Sequence, residues 1–168
     1  MFLAVTGLRI GEAVAVKWSD FEGDILHVSR RIYQGNVDVP KTRSSQRSLP
    51  IPHALLSRMH ALGNGEWIFR SKPGTPIKPG NAMLLYIRPV VAELGLLIGG
   101  WHDFRHTLST RLRKNGWSPK VRADILGPSS VQTTSAIYDH ADREDFRSAL
   151  GEIASELLRD VTKSASVN

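Results

Sequence analysis

The sequence contains no cysteine among its 168 residues. This absence excludes disulfide bonds, a catalytic thiolate and thiolate-bound metal sites, and it is most easily reconciled with a reducing cytoplasm. Apolar residues make up 41% of the chain, which is enough to build the buried core of one ordinary domain. We therefore expect a single cytoplasmic domain whose chemistry depends on other side chains.

Long apolar runs are also missing. No stretch approaches the roughly 18 residues that a membrane-spanning helix needs. The start MFLAVTGLRIGEA is too short, and becomes charged too soon, for a signal peptide. Acidic residues are fewer than basic ones, at 16 against 22, and the formal net charge is +6. A soluble basic chain suits a polyanionic partner, although charge of this size does not identify one.

Period-two alternation of apolar residues predicts a small three-stranded antiparallel sheet between residues 18 and 52. Turns are expected at residues 34–36 and 42–46, and Lys41 falls at the end of the second strand. The alternating residues of the three strands are Leu26, Val28, Arg30 and Ile32, then Val37 and Val39, then Leu49 and Ile51.

The remainder of the chain predicts helices, over residues 52–62, 79–94, 103–114, 119–126, 130–138 and 142–161. The helix over 119–126 has clear limits, because Ser118 can cap its start, Pro119 suits its first position and Gly127 follows its end. The fold class expected is thus α+β and mainly helical, with the small sheet near the N-terminus. The last helix carries one apolar stripe that must be buried: Phe146, Leu150, Ile153, Leu157 and Val161.

Five basic or nucleophilic residues are scattered along this frame: Arg9, Lys41, His102, Arg105 and Tyr138. Two arginines, a lysine and a histidine can neutralise and protonate a phosphate without a metal, and a tyrosine can hold the phosphate covalently. The set therefore predicts a phosphodiester-cleaving site. A metal-dependent nuclease is disfavoured, because no cluster of carboxylates at useful spacing accompanies the basic residues.

Two pairs of residues have the spacing that places their side chains close together on a helix. Glu12 follows Arg9 by three residues, so its carboxylate can hold and aim the guanidinium on a helix. His102 and Arg105 are also three apart, which separates them by about 60° around a helix axis and lets both address one phosphate.

Each of these residues also has a purely structural interpretation. Arg9 and Glu12 could form an ordinary surface ion pair, Lys41 could be a solvated charge that protects a sheet edge, and a lone histidine is usually structural. Tyr138 shares a helical face with neighbouring residues and could be a half-buried core tyrosine.

The segments TGLRIGE, HDFRHTLST and LGPSSVQTT, the last followed by a tyrosine, resemble the three sequence boxes of the tyrosine recombinases, the phage integrase family. The resemblance covers roughly residues 5 to 150 and includes a lysine hairpin between the first two boxes. It implies the catalytic domain of a site-specific DNA recombinase or integrase, of the kind that phages and other mobile elements carry.

By this resemblance, Arg9 and Arg105 are the two phosphate-binding arginines, and His102 handles a proton or bonds to the phosphate. Tyr138 is the nucleophile that forms a 3′-phosphotyrosyl bond and leaves a free 5′ hydroxyl. Lys41 reaches into the minor groove and acts as general acid towards the departing 5′ oxygen. Because the intermediate retains the bond energy, the reaction implied needs no cofactor, neither metal nor ATP.

The resemblance also assigns supporting roles and shows one departure. Glu12 supports Arg9, while Arg43 and Arg47 are expected to contact the DNA backbone beside Lys41. Pro128 stands where the family usually has histidine or tryptophan, and its side chain donates no hydrogen bond. The loss of such a donor could lower the rate on the order of 10²- to 10³-fold, unless another group such as His140 or a water substitutes.

For the domain organisation, we expect a catalytic domain over residues 1–162 and a flexible tail over 163–168, without the family's N-terminal DNA-binding domain and first catalytic-domain helix. The partner is duplex DNA, on which four protomers of the full-length protein assemble; the chain alone is monomeric or weakly associated. The apolar stripe after the tyrosine packs either on a neighbouring protomer or on its own domain.

Two other functions remain open at this point. A type IB topoisomerase uses a similar arginine, lysine and tyrosine site to relax supercoils, although the box wording favours an integrase. A degenerate DNA-binding remnant, inactivated by Pro128 and by the missing domain, would bind phosphates without cutting them. The target site and the choice between integration, excision and resolution lie beyond the sequence.

Overall fold

A computed structural model describes residues 1–38, 46–63, 65–95, 97–127 and 143–165, with side chains up to residue 160. This part of the chain is mainly helical and carries short antiparallel strands, which confirms the predicted fold class. None of the helices in these ranges combines the length and the apolar composition needed to cross a membrane.

The chain begins with two short helices joined by a tight turn. Helix α1 spans Phe2–Thr6 and helix α2 spans Ile10–Ala13. Gly7 ends α1 with a φ of 61°, and a Cβ atom there would lie 2.6 Å from Leu126 Cδ2 and 2.7 Å from Leu108 Cδ2. Only glycine satisfies both the left-handed backbone and the close approach, so this turn can sit directly against two later helices.

Three short antiparallel strands form a sheet in the order β1-β2-β5. They are β1 (Phe21–Glu22), β2 (Ile25–Val28) and β5 (Arg47–Pro50). Leu26 of β2 lies opposite Leu49 of β5, and both side chains are buried in the core. The central pairing therefore joins the start of the domain to the strand that follows the predicted lysine hairpin.

The residues in this sheet differ from the predicted set. The segment expected to run as one strand from Leu26 to Ile32 divides, because Arg30 turns aside to pair with Asp20 at 2.7 Å. The chain beyond it forms a separate hairpin of β3 (Arg31–Tyr33) and β4 (Asn36–Asp38). Its turn residues 34 and 35 have φ values of 48° and 83°, which fits the type I′ turn that a two-residue hairpin prefers.

The later helices largely follow the predicted positions. The predicted helix over 79–94 is interrupted at residues 83–87 by a π-helical turn, directly before the residue pair Arg88-Pro89. Pro89 has no N–H to donate, which disturbs the regular hydrogen-bond pattern at this point. The observed helices are α3 (His53–His60), α4 (Pro79–Ala82), α5 (Arg88–Glu93), α6 (His102–Lys114), α7 (Pro119–Leu126) and α8 (Arg143–Ala165).

Helix α7 has the predicted limits. The Ser118 hydroxyl accepts the backbone N–H of Val121 at 3.2 Å, and Gly127 follows the last turn with a φ of 73°. The helix predicted over residues 130–138 lies outside the described residues. Helix α8 continues to residue 165, into the range predicted as a flexible tail.

The apolar stripe of α8 packs into the core of its own chain. Leu150 and Ile153 are fully buried, and Phe146 and Leu157 pack against the same cluster. The side chain of Val161 lies outside the described ones. Of the two interpretations of this stripe, burial on its own domain is therefore the one that the structure shows.

Polar contacts hold α8 against α6 beside this apolar seam. Glu156 accepts hydrogen bonds from Arg111 at 3.2 Å and from Asn115 at 2.7 Å. One turn earlier on α8, Glu152 accepts the indole N–H of Trp117 at 2.9 Å. The helix is thus bound by burial and by specific hydrogen bonds, which fixes its register.

Because α8 completes the core, we expect Ile153→Ala to lower the free energy of unfolding by between about 2 and 5 kcal/mol. Urea denaturation followed by circular dichroism measures this change. Leu84→Ala is the control, because that side chain is 60% exposed and its loss should change stability by less than about 0.5 kcal/mol. Equal effects of the two substitutions would contradict the packing of α8 in its own domain.

Candidate functional site

Arg9 and Glu12 form the first part of the site. Arg9 precedes α2 as its N-cap and is not inside a helix, and its backbone N–H donates to Glu12 Oε2 at 2.9 Å. Its Nη1 also donates to Glu12 Oε1 at 3.3 Å. The Glu12 side chain is only 8% exposed and that of Arg9 38%, so the carboxylate holds the guanidinium from the protein side.

A second arginine binds the same carboxylate. Arg47, the first residue of β5, donates from Nη2 to Glu12 Oε2 at 2.9 Å and from Nη1 to Oε1 at 3.3 Å. Its Nε donates to the carbonyl oxygen of Ile125, near the end of α7, at 3.1 Å. Its side chain is 9% exposed. The expectation that Arg47 contacts the DNA backbone is therefore corrected, because its guanidinium is used inside the protein.

These two arginines determine the charge of Glu12. Burial on its own would raise the pKa of this carboxyl group. The hydrogen bonds and positive charge of Arg47, together with the backbone N–H and charge of Arg9, more than offset burial and hold the pKa of Glu12 below its ordinary value. Glu12 is therefore an anion at neutral pH.

Arg105, on the first turns of α6, joins three chain segments through backbone carbonyls. Its Nη1 donates to Gly7 O at 2.9 Å and also to Leu126 O, and its Nη2 donates to Gly127 O at 2.9 Å. A guanidinium has five N–H groups. Among the described residues these bonds leave Nε–H and one Nη2–H of Arg105 without a partner, a pair suited to two oxygens of a phosphate.

The surroundings of Arg105 are strongly basic. Burial is the main cause that lowers the pKa of Arg105 to about 10; the charges of Arg9 and Arg47 act in the same direction, and the charge of Glu12 partly opposes them. A pKa of about 10 leaves the guanidinium almost fully protonated at neutral pH. In the described part of the chain, the one carboxylate of Glu12 is bound by Arg9 and Arg47 and lies near the charge of Arg105, and the resulting excess of positive charge favours a bound anion.

His102 begins α6 and is exposed, one helical turn before Arg105. The carboxylate of the next residue, Asp103, accepts the backbone N–H of Gly99 at 2.6 Å and that of Gly100 at 3.3 Å. These bonds fix the path of the chain into α6. Sequence reasoning missed Asp103 as a residue that positions His102, although an aspartate in a first helical turn after two glycines is a recognisable signal.

Gly127 contributes to the site in a way that the sequence analysis missed. A Cβ atom on it would lie 3.0 Å from Arg47 Nη1, and its φ of 73° is unfavourable for other residues. Predicted only as a helix stop, it also supplies a carbonyl to Arg105. The absent side chain allows the two arginines to meet at the end of α7.

The structure thus brings Arg9, Glu12, Arg47 and Arg105 together, with His102 one helical turn from Arg105. Among the described residues, no group of three or more histidines and carboxylates is placed to hold a metal ion. The other predicted site residues lie outside the described residues: Lys41, Arg43, Pro128, Tyr138 and the possible substitute His140.

Comparison with known protein families gives one match that covers most of the chain. Residues 1–145 match the family described as the phage integrase family. Curated relatives include a tyrosine recombinase XerC-like protein of Caldanaerobacter subterraneus subsp. tengcongensis, 28% identical over 80% of this chain and 43% of the relative. The integrase of Escherichia phage HK022 is also 28% identical, over 83% of this chain and 40% of its own length. The chain therefore spans less than half the length of these relatives.

Among solved structures, the integrase of transposon Tn1549 in complex with circular intermediate DNA is 25% identical to this chain, with a TM-score of 0.66. The similarity covers 90% of this chain and 57% of the solved Tn1549 integrase chain. The arrangement of helices and strands described above is therefore shared with a DNA-bound integrase.

The buried position of Glu12 generates a pH-dependent prediction. Because its folded-state pKa is depressed, its contribution to stability is complete above the unfolded pKa of about 4.3 and is lost as pH falls through the folded value. We expect Glu12→Gln to lower the free energy of unfolding by about 3 kcal/mol at neutral pH, and the difference from wild type to shrink in acid.

Urea denaturation at a series of pH values between about 7 and 3 measures this difference. Glu22→Gln is the control, because the Glu22 side chain is 88% exposed and lies outside the arginine cluster. A Glu12→Gln effect that stays constant across the whole pH range would contradict the ionised state of Glu12.

Proposed function

Because the chain belongs to the phage integrase family, we propose that it forms the catalytic domain of a site-specific DNA recombinase. It cuts and rejoins strands of duplex DNA through a covalent 3′-phosphotyrosyl intermediate. The observation that carries this proposal is the cluster of Arg9, Arg47 and Arg105 around the single carboxylate of Glu12, together with the two N–H groups that Arg105 leaves open among the described residues.

The excess positive charge of this cluster suits the scissile phosphate. Arg105 offers two N–H groups to non-bridging oxygens of the phosphate, and Arg9 approaches from the more exposed side of Glu12. Negative charge grows on these oxygens as the nucleophile adds to phosphorus, so fixed guanidinium groups stabilise the transition state more than the ground state. His102, at the start of the same helix as Arg105, adds a hydrogen bond or handles a proton.

The covalent steps use residues that the family resemblance assigns. The Tyr138 hydroxyl attacks phosphorus and gives its proton to His102, the bond between phosphorus and the 5′ oxygen breaks, and the 5′ oxygen takes a proton from Lys41. The DNA strand is then joined to Tyr138 through its 3′ phosphate. Attack by a 5′ hydroxyl on this phosphotyrosyl bond reverses the steps, so rejoining consumes neither ATP nor another cofactor.

Duplex DNA is the proposed partner, and the support comes from the basic composition and from the DNA-bound Tn1549 integrase. Phosphate contacts make such binding strongly dependent on salt. We propose that four protomers of the protein assemble on the DNA. Because the stripe of α8 around Leu150 and Ile153 is buried in its own domain, contacts between protomers use other surfaces of the chain.

Covalent trapping tests the nucleophile. We expect the chain, incubated in EDTA with nicked duplexes drawn from the DNA that flanks its own gene, to give an SDS-resistant protein–DNA adduct. Tyr138→Phe should abolish the adduct, because phenylalanine has no hydroxyl oxygen to attack phosphorus. Denaturing gel electrophoresis with labelled DNA measures the yield. An adduct that persists in Tyr138→Phe would refute the assignment of the nucleophile.

Pro128→His extends the same experiment to the unusual third box. If the missing donor slows the reaction, we expect this substitution to raise the rate of adduct formation, on the order of 10²-fold. If neither the wild-type chain nor Pro128→His forms an adduct with these duplexes, the result would count against the recombinase proposal. It would favour a remnant that binds DNA without cutting it. Relaxation of plasmids without sequence preference would instead favour a topoisomerase.

Arg105→Lys tests the proposal that the Nε–H and one Nη2–H of Arg105 bind the phosphate. Lysine keeps the charge but has neither the planar fork for two phosphate oxygens nor the reach to three carbonyls, so we expect the single-turnover cleavage rate to fall by about 10²- to 10³-fold. Arg113→Lys, an exposed position on the same helix, is the matched control and should leave the rate unchanged. Equal rates for wild type and Arg105→Lys would contradict the phosphate-binding role.

A further inference from the structure

Arg47 links three parts of the chain that meet at the site. Its guanidinium forms a two-point contact with Glu12, which in turn holds Arg9. Its Nε binds Ile125 O near the end of α7, two residues before Gly127. Its backbone begins β5, six residues after Lys41 in the sequence. One buried side chain thus connects the first box, strand β5 and the end of α7.

Stability alone is a poor explanation for this ion pair. Removing two charges from water costs about as much as their attraction returns, and apolar residues often serve equally well in such a position. The arrangement of charges offers a better explanation. With Arg47 in place, the carboxylate of Glu12 has two guanidinium partners, so its negative charge does not fall on Arg9 alone. Without Arg47, Arg9 would be the main counter-charge of a buried carboxylate.

The end of α7 provides a second link between Arg47 and the reacting groups. The carbonyl oxygens of residues 125, 126 and 127 accept hydrogen bonds from two arginines, the first from Arg47 and the other two from Arg105. The last carbonyls of a helix carry a negative partial charge and need donors. Because both guanidinium groups bind one short segment, a shift of Arg47 moves the anchor of Arg105.

We propose that Arg47 is a positioning residue of the phosphate site, which holds the carboxylate of Glu12 and the end of α7 and so sets the placement of Arg9 and Arg105. This proposal deepens the recombinase function proposed above and rests on it. Arg47 touches no substrate in this role, and it acts through Glu12 and the end of α7. Its effect should therefore appear in the cleavage rate and its pH dependence, and much less in the affinity for DNA.

The chain contains a matched pair away from the site. The Asp20 side chain is also 8% exposed, accepts the backbone N–H of Lys17 at 2.8 Å, and binds Arg30 at 2.7 Å. This repeats the arrangement in which Glu12 accepts the N–H of Arg9 and binds Arg47. Arg30→Met therefore removes a comparable arginine from a comparable carboxylate and controls for loss of stability.

The test compares the wild type with Arg47→Met, Arg47→Lys, Arg30→Met and the double variant Glu12→Gln/Arg47→Met, each shown to be folded by thermal melting at every pH used. We expect Arg47→Met to lower the single-turnover cleavage rate at saturating nicked duplex by about 10²-fold. The DNA concentration for half-maximal rate should change by less than about twofold.

A new acid-side decline of the rate should also appear in Arg47→Met, because loss of the counter-charge raises the pKa of Glu12, and protonated Glu12 no longer holds Arg9. The decline should be absent from Glu12→Gln/Arg47→Met. Arg47→Lys should recover part of the rate, since its ammonium still neutralises Glu12 but cannot reach Ile125 O at the same time. Arg30→Met should be less stable than the wild type, but it should show neither the lower cleavage rate nor the new acid-side decline.

NMR titration of the Glu12 carboxyl carbon separates this proposal from the proposed function. A raised pKa in Arg47→Met that returns towards the wild-type value in Arg47→Lys supports the role of Arg47 even if the wild-type chain gives no adduct and the recombinase proposal fails. An unchanged Glu12 pKa in folded Arg47→Met would overturn the role of Arg47. A cleavage rate equal to that of wild type in the same variant would do so as well.

Discussion

The buried carboxylate of Glu12 is the constraint on which the rest of the site depends. A charge with 8% side-chain exposure is stable only when donors surround it, and the chain supplies them from Arg9 and from Arg47. To provide these donors, the Arg47 side chain at the start of β5 must reach Glu12 in α2. One carboxylate and its partners therefore tie the sheet to the opening helices.

Two glycine turns extend this constraint to the later helices. Gly7 and Gly127 have positive φ angles and close contacts that disfavour a side chain, and both present their carbonyl oxygens to Arg105. Backbone carbonyls are fixed by the fold and carry no net charge. They orient the guanidinium of Arg105 without neutralising it, and this keeps the positive charge of the cluster available to an anion.

Local patterns in the sequence predicted those features whose causes are local. The limits of α7 follow from Ser118 and Gly127, the contact between Arg9 and Glu12 from a spacing of three, and the burial of α8 from its apolar stripe. The burial of Arg47 could not be predicted in this way, because its partners lie 35 and 78 residues away in the sequence. The divided strand had a similar cause, since Arg30 pairs with a carboxylate outside its own strand.

The packing of α8 has a consequence for how the domain forms. Its residues Ala149, Leu150, Ile153 and Ala154 share one core with Phe2 and Val5 of α1, so α1 and α8 must meet before the core is complete. Contacts between distant parts of a chain slow folding, and this core stays incomplete until α8 has emerged from the ribosome. The arginine cluster should therefore reach its final form only after α8 is released, which keeps a chain made only as far as α7 from presenting an assembled phosphate site to the genome.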